Sequence, residues 1–307
     1  GADLLLVNDD DLTYASVRPD AASLAALADQ AAALPTATAR GVAAITLYDL
    51  LMTGDAHPKD VVRCLADLVE VESSDSAVEP LQDMALQVVR FYAGEADRAS
   101  LADRLATAFV TLAEQGGVRR RAGLRGLSQV ATSSEHLDLL TAAAVEDVEL
   151  AWRTLTRRSA LGGYDADEVS RLLQRDPDPD AWARGVVVAA AQPDPEAKDR
   201  AWQDAFDEQF PLGTLYELSL AFWQPNQVDL LTPYADRFLA ELPGLNDRAA
   251  VSARARSSWL FPFFGVDDTF AVRVEAHAAE PSTTPLIRSR LLDCVDRLRR
   301  MLRARQL

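Results

Sequence analysis

The chain has 307 residues, a formal net charge of −16 at neutral pH and 49% hydrophobic residues. A negative charge of this size repels a phosphate backbone, so nucleic acid is excluded as an expected partner. The hydrophobic fraction is sufficient for a large core, and no run approaches the roughly 20 apolar residues that span a membrane. We therefore expect a globular chain that binds neither nucleic acid nor a membrane.

The first segment, residues 1–20, has a β-like pattern that the rest of the chain lacks. An apolar run ends in a polar turn at 8–11, and residues of alternating polarity follow it. This pattern predicts a β-hairpin. Because two isolated strands are marginal in water, we expect the hairpin to be a remnant of an upstream β-sandwich domain. The chain is then the C-terminal part of a longer protein.

From residue 21 to residue 307, apolar residues recur at three- and four-residue steps, which predicts one helix after another. Asp20, Thr36, Pro58 and Pro80 are expected to begin the first four helices, and Gly54 to end the second. Two-helix units of about 35 to 45 residues, stacked in sequence, would bury the apolar stripes. The predicted fold is therefore all-α, a HEAT-like α-α superhelix preceded by a short β-hairpin.

Several motifs occur in an order that carries a family resemblance. They are Trp-Arg-Thr-Leu-Thr-Arg at 152–157, Pro-Glu-Ala-Lys-Asp-Arg-Ala-Trp at 195–202 and Phe-Trp-Gln-Pro-Asn-Gln at 222–227. With the opening segment, these motifs resemble the C-terminal helical domain of the aminopeptidase N family of zinc exopeptidases, in its actinobacterial form. The resemblance covers essentially the whole chain.

The chain departs from the family pattern at a few places. Ser16 and Pro19 stand where a basic and an apolar residue are expected, and Leu-Tyr-Asp at 47–49 replaces a stretch usually marked by Trp. Asp-Pro-Asp-Pro-Asp at 176–180 replaces a turn that contains Thr and Gly. We expect the fold to tolerate these changes.

The chemistry of that family needs zinc held by two His of one helix and a distant Glu, with a second Glu as general base. The three histidines, His57, His136 and His277, are widely separated, and no His-Glu-x-x-His motif occurs. The acidic run at 9–11 lacks the ligand spacing of a calcium loop. We therefore expect no catalytic residue, cofactor site or metal ligand in this chain, and the resemblance places zinc in a catalytic domain outside it.

Five residues are candidates for contacts with substrate or with a neighbouring domain. Trp223 and Gln227 either pack inside the helical domain, or lie where the superhelix meets the catalytic domain or faces an enclosed substrate cavity. Arg153, Arg157 and Arg184 either form surface ion pairs, or are cations on the concave face that attract a peptide's C-terminal carboxylate. The sequence leaves both alternatives open for each group.

The resemblance implies a non-catalytic C-terminal domain of a cytoplasmic, zinc-dependent aminopeptidase N, which removes N-terminal residues from peptides. The helical domain would close over the active-site chamber and control peptide access. Its partners would be the catalytic domain of the same polypeptide and the peptide substrates. The alternative is a free-standing α-solenoid scaffold that binds another protein along its concave face.

Overall fold

The structure is a computed structural model that describes residues 4–13 and 15–307. Regular secondary structure within these residues is entirely helical, which confirms the all-α prediction. A 3-10 turn at Ala31–Ala33 follows the first helix, and a π-helical turn at Val88–Tyr92 follows the fourth. The α-helices are α1 (Ala21–Gln30), α2 (Ala37–Thr53), α3 (Pro58–Val71), α4 (Asp75–Gln87), α5 (Glu95–Glu114), α6 (Gly117–Val130), α7 (Ser134–Ala143), α8 (Val148–Ala160), α9 (Ala166–Arg175), α10 (Ala181–Ala190), α11 (Pro195–Phe206), α12 (Leu212–Phe222), α13 (Val228–Leu231), α14 (Tyr234–Leu245), α15 (Ala250–Trp259), α16 (Asp268–Ala279) and α17 (Pro285–Ala304).

The prediction of a β-hairpin at 1–20 is wrong for the described part of that segment, which contains a turn but no strand. Asn8 and Asp11 have positive φ angles of 63° and 54°, and the Asp11 N–H donates to the Asn8 carbonyl at 2.8 Å. The Asn8 side chain bonds both backbone groups of Thr13, at 2.8 and 2.9 Å. The polar turn therefore forms through its own side chain and does not need flanking strands.

The apolar residues on either side of this turn have no sheet to join among the described residues. The Leu5 N–H donates to the Ser23 hydroxyl of α1 at 3.1 Å, and not to a carbonyl of a neighbouring strand. Leu5, Val7 and Leu12 consequently remain 63%, 50% and 85% exposed. Alternating polarity alone does not make a strand, because the ladder needs a second backbone.

Side-chain caps begin several helices where the sequence predicts them. Asp20 accepts hydrogen bonds from the Ala22 and Ser23 N–H groups at 3.0 Å, and Thr36 caps α2 in the same way. Gly54 ends α2 with a φ of 85°, a conformation that favours glycine. Each of these helix ends is fixed by residues that are close in sequence, so the local sequence pattern is sufficient to locate it.

The predicted start of the fourth helix at Pro80 is wrong. Helix α4 begins at Asp75, and Pro80 lies inside it. The Ser74 N–H donates to the Glu72 carboxylate at 2.8 Å, which fixes the chain just before the helix. Residues in the first turn of a helix do not donate hydrogen bonds within the helix, so a proline is tolerated there. Pro80 is the sixth residue of α4, so it removes one helical hydrogen bond, and packing must offset that loss.

The chain forms two compact units. Unit 1 contains the residues up to His136 together with Arg300–Leu307, and unit 2 contains Leu137–Arg299. In unit 1, α1, α3 and α5 pack one against the next, as do α2, α4 and α6. In unit 2, α8, α10, α12 and α15 form such a row, and α9 and α11 pack between its members. The predicted boundary between residues 20 and 21 stays a prediction.

Two glycines of α6 allow a close contact with α5 in unit 1. A Cβ atom on Gly123 would lie 2.4 Å from the Phe109 carbonyl oxygen and 2.7 Å from the Ala113 nitrogen. A Cβ atom on Gly126 would lie 2.9 Å from the Phe109 ring. A larger residue at Gly123 would therefore push the two backbones apart, and one at Gly126 would displace the Phe109 ring.

None of the helices in the described range combines the length and the apolar character that crossing a membrane requires.

Candidate functional site

The candidate residues all lie in unit 2, which also contains a fully buried lysine. Lys198 lies on α11 and has no exposed surface. Its Nζ donates to the carbonyl oxygens of Ala190 and Phe222, both at 2.7 Å, and lies 5.1 Å from the centre of the Phe222 ring. Ala190 and Phe222 are the last residues of α10 and α12, whose terminal carbonyls have no partner within their own helices. Lys198 therefore caps two neighbouring helices at once.

Gln227 makes a second contact of this kind. Its side chain is buried, and Nε2 donates to the Ala160 carbonyl at 3.2 Å and to the Ala191 carbonyl at 3.0 Å. Ala160 ends α8, and Ala191 directly follows α10. The Gln227 side chain thus joins the C-terminal ends of α8 and α10. This geometry supports the packing interpretation of Gln227, while a contact with another domain stays a prediction.

Trp223 belongs to an aromatic cluster centred on Trp202. Trp223 is 3% exposed, and its ring centre lies 4.9 Å from Phe222 and 6.2 Å from Trp202. Tyr234 packs on the other rings, with centres 5.2 Å from Trp202 and 4.8 Å from Phe222. Edge-to-face contacts of this kind stabilise a core beyond the burial of area. Trp223 therefore holds the end of α12 in the core of unit 2.

Arg153 and Arg157 lie one turn apart on α8 and differ in environment. Arg153 pairs with Glu149 of the same helix at 3.1 Å, and both side chains are about one-third to one-half exposed. Burial lowers the pKa of Arg157 to about 10. Both side chains are partly exposed, and a contact of either arginine with an anion stays a prediction.

Arg184 belongs to an ion-pair network with the turn that follows α9. Its guanidinium pairs with Asp176 at 2.8 Å and with Asp178 at 3.1 Å. Asp176 also accepts a hydrogen bond from the Trp152 indole at 2.7 Å. Burial acts to raise the pKa of Asp176, but the Asp178 N–H, the indole and the guanidinium outweigh it, so this pKa is lowered. The turn at 176–180 therefore joins α8, α9 and α10.

Three of the five candidates lie on one row of helices, and the other two contact or follow the ends of its helices. Arg153 and Arg157 lie on α8, and Arg184 lies on α10, which packs against α8. Gln227 bridges the C-terminal ends of these two helices. Trp223 follows α12, the next helix of the row.

Three exposed aromatic residues on this row were not predicted as site residues. Trp182, Tyr216 and Trp259 are 45%, 47% and 37% exposed, and lie on α10, α12 and α15. Tyr216 and Trp259 contact each other, with ring centres 5.5 Å apart. Each of the three falls outside the stripe of buried residues of its helix. Their position outside the apolar stripe could have been read from the sequence, and it would have indicated a binding surface, since exposed aromatic residues often mark one.

Metal ligands are not grouped in the described residues. Across residues 4–13 and 15–307, no three His, Cys, Asp or Glu side chains come together in a way that could hold a metal ion.

The fold and the site define the class of the chain as an all-α protein of successively packed helices, with long polar side chains that close the helix ends. Residues 4–300 match the family model of the ERAP1-like C-terminal domain, and the chain belongs to this family. It is similar to an aminopeptidase N of Streptomyces lividans, with 25% identity over 315 aligned residues. The resemblance to the C-terminal domain of aminopeptidase N is thereby confirmed.

The same alignment covers 98% of this chain and 37% of the Streptomyces lividans protein. The chain therefore spans little more than a third of the length of the curated relative that it matches.

Proposed function

We propose that the chain acts as the non-catalytic C-terminal domain of a cytoplasmic, zinc-dependent aminopeptidase of the N type. The observation that carries this proposal is the family match over residues 4–300, together with an alignment that uses nearly all of this chain but only 37% of an aminopeptidase N. In this function the catalytic domain removes the N-terminal residue of a peptide. The helical domain controls which peptides reach the active-site chamber.

The packing order supports a HEAT-like superhelix as the basis of this role. In both units, helices pack on their neighbours in sequence and on the next helix but one. Stacking of this kind makes an extended curved surface that can cover a chamber. Movement or opening of such a cover would limit entry and release.

Exposed side chains provide surfaces for the two proposed partners. Leu5 and Val7 are apolar residues that the catalytic part of the polypeptide could cover through an upstream β-sandwich. Trp182 and Tyr216 offer apolar contacts to a peptide, and the partly exposed Arg157 offers a cation to its C-terminal carboxylate. Trp223 and Gln227 would act indirectly, by holding the helices that carry these residues.

The zinc of this activity would be held by the catalytic domain. The described residues of this chain do not fit a zinc site, since no three potential ligands converge. No chemical step is therefore assigned to residues of this chain.

A free-standing scaffold is the second candidate function. The three exposed aromatic residues on α10, α12 and α15 support this function, because exposed aromatic side chains are common in protein–protein interfaces. A scaffold would be present in the cell without an attached catalytic domain. The size of the native protein therefore distinguishes the two candidate functions.

The size of the native product tests the proposal. An antibody raised against this chain is used to blot a lysate of the source cell, and then to deplete the lysate. We expect a band several hundred residues larger than 307, and loss of aminopeptidase activity that a zinc chelator also abolishes. Depletion with preimmune serum is the control. A band at the size of this chain, with activity left in the depleted lysate, would favour the scaffold.

A further inference from the structure

Helices α8, α10 and α12 of unit 2 lie side by side and run in the same direction, because their C-terminal ends are joined. Gln227 bonds the ends of α8 and α10, and Lys198 bonds the ends of α10 and α12. Helices α9 and α11 pack on one side of this row. The side chains that stay exposed on α10 and α12 therefore share the opposite side.

Two aromatic residues on this side lie at nearly the same distance from the joined ends. Trp182 precedes Ala190, the last residue of α10, by two turns, and Tyr216 precedes Phe222, the last residue of α12, by slightly less. At 1.5 Å per residue, Trp182 and Tyr216 are about 12 and 9 Å from these ends. Since the axes of packed helices are about 8 to 10 Å apart, the two residues lie next to each other across the row.

Trp259 of α15 extends this line, and we call Trp182, Tyr216 and Trp259 the aromatic face. Tyr216 and Trp259 meet edge to face, with ring centres 5.5 Å apart. Trp182 packs in the same manner on the buried Phe210, with ring centres 5.7 Å apart. Each ring is thus held in place by a neighbour, while 37% to 47% of each residue of the face stays exposed.

Two carboxylates beside these rings have no partner among residues 4–13 and 15–307. Glu217 follows Tyr216 and is exposed on α12. Asp180 lies two residues before Trp182 and is also exposed. Asp180 occupies the N-cap position of α10, but its side chain accepts no hydrogen bond from that helix. Both carboxylates are therefore available to a ligand.

This combination favours a cationic ligand. The face of an aromatic ring attracts an ammonium or guanidinium group, and a nearby carboxylate strengthens the attraction. The chain already makes such a contact internally, since the Arg237 guanidinium lies 4.9 Å from the centre of the Tyr234 ring. The net charge of −16 disfavours an acidic ligand. A purely apolar ligand would cover the rings but leave both carboxylates without a partner.

We propose that the aromatic face binds a peptide that carries two Lys or Arg residues three positions apart. One basic side chain lies over Trp182 and reaches Asp180, and the other lies over Tyr216 and reaches Glu217. In a polyproline II conformation, residues three positions apart lie on the same side at a separation of about 9 Å, which matches the spacing of the two helices.

This inference rests on the proposed function, because it names a class of peptide substrate that the helical domain would hold. The basic pair lies inside the peptide, away from the N-terminal residue that the catalytic domain would remove. Binding to this chain alone is measurable without any catalytic step, so the inference can be tested separately from the function.

Titration of the full chain with two blocked peptides of identical composition tests the proposal. The probe is acetyl-Ala-Lys-Pro-Ala-Lys-Ala-amide, and the matched peptide, acetyl-Ala-Lys-Lys-Pro-Ala-Ala-amide, has adjacent lysines. The indole N–H NMR signals of Trp182 and Trp259 report on the aromatic face, and that of the buried Trp202 is the internal control. We expect the probe to shift the first two signals and the matched peptide to bind about threefold more weakly or worse.

Variants of the chain separate local contacts from overall charge. Asp180→Asn with Glu217→Gln should weaken binding of the probe about threefold or more. The control pair, Glu135→Gln with Asp138→Asn, changes the net charge equally at two exposed positions of α7 and should leave binding unchanged.

A second pair of variants tests the ring itself. Trp182→Leu keeps an apolar side chain but removes the ring, and should weaken binding about threefold. Tyr164→Leu removes an aromatic residue of similar exposure outside the aromatic face, and should not change it.

Three results would overturn the inference. The first is an absence of shifts at Trp182 and Trp259 when the probe is added to the folded chain. The second is equal binding of the two peptides, which would indicate attraction by net charge alone. The third is an equal loss of binding in the two double variants. Each would leave the proposed function standing, because that function is tested by the size and activity of the native protein.

Discussion

The Lys198 ammonium donates a hydrogen bond to the carbonyl oxygen of Phe222, 2.7 Å away, and so caps a helix on which it does not lie. The same ammonium bonds the Ala190 carbonyl at the end of α10. A buried cation with two carbonyl partners fixes three helices relative to one another. This contact is the basis of the first prediction.

Substitution of Lys198 by Met should lower the free energy of unfolding by about 2 to 4 kcal/mol, because the buried Ala190 carbonyl loses the Lys198 donor and the Phe222 carbonyl keeps only the Gln224 N–H. The control is Lys59→Met, which removes the only other lysine of the chain. Lys59 is 52% exposed and pairs with Asp97, so its loss should cost less than about 1 kcal/mol. Urea unfolding followed by circular dichroism measures both. Equal losses in the two variants would contradict a capping role for Lys198.

Gly123→Ala should destabilise unit 1 by about 3 kcal/mol or more. Its Cβ atom would lie 2.4 Å from a backbone carbonyl oxygen of α5, so the two helices would have to move apart. Gly41→Ala is the matched control, since Gly41 lies inside α2 and a Cβ there meets no atom within 4 Å. That substitution should stabilise the chain by about 0.5 to 1 kcal/mol through helix propensity. Thermal unfolding of the pair would show shifts of opposite sign, and a shared sign would refute the close contact.

Asp176 should make the stability of unit 2 depend on acid pH. The pKa of this carboxyl is lower in the folded chain than its ordinary value. Its contribution is therefore fully present above the unfolded pKa of about 3.9 and is lost as the pH falls through the folded value. Asp176→Asn should be less stable than the natural chain at pH 7, and the difference should shrink as the pH falls below about 4.

The urea midpoint, measured from pH 7 to pH 3, tests this prediction. Asp178→Asn is the comparison, because Asp178 pairs with the same Arg184 but is 40% exposed. Because an exposed ion pair contributes little to stability, its midpoint at pH 7 should lie close to that of the natural chain. A constant gap between Asp176→Asn and the natural chain at all pH values would rule out the proposed linkage.

Both cysteines should be unreactive in the folded chain. Burial raises the pKa of the Cys64 and Cys294 thiols to about 12, so almost no thiolate forms at neutral pH. A colorimetric disulfide reagent should label neither thiol in buffer and both in concentrated urea. Rapid labelling of one thiol before unfolding would show that its helix opens locally.

The helix starts could be predicted because cap and first turn are neighbours in sequence. Asp20, Asp165, Asp194 and Asp267 each accept from a backbone N–H two or three residues ahead. The prediction of a hairpin at 1–20 was wrong for the described residues. A strand needs hydrogen bonds to a second strand, and the local sequence pattern does not identify one. The predicted helix start at Pro80 was wrong because tertiary packing can stabilise a helix that contains a proline.

The candidate site could be predicted only in part. The sequence allowed packing of Gln227 inside the helical domain, but one acceptor of its side chain, Ala160, is 67 residues away and no local pattern identifies it. The role of Lys198 depends on the adjacency of α10 and α12 in the same way. The exposed Trp182 could have been identified, because it lies outside the buried stripe of α10.

Capping across helices occurs throughout unit 2. The buried Arg256 of α15 donates to the Ala205 carbonyl at 3.0 Å and to the Asp207 carbonyl at the end of α11. Lys198, Gln227 and Arg256 together donate hydrogen bonds to the C-terminal ends of α8, α10, α11 and α12. Each of these helix ends is therefore capped by a side chain from another segment.

This arrangement has a consequence for cooperativity. In an array of independent repeats, one repeat can melt while its neighbours stay folded, at the cost of the shared interface alone. Here, melting of the segment that carries Lys198 would also strip the donors from carbonyls that remain buried. The energetic penalty of partial melting therefore extends to helices that are still intact. Unit 2 should consequently unfold in a single transition, and a deletion that removes α11 alone should fail to give a folded protein.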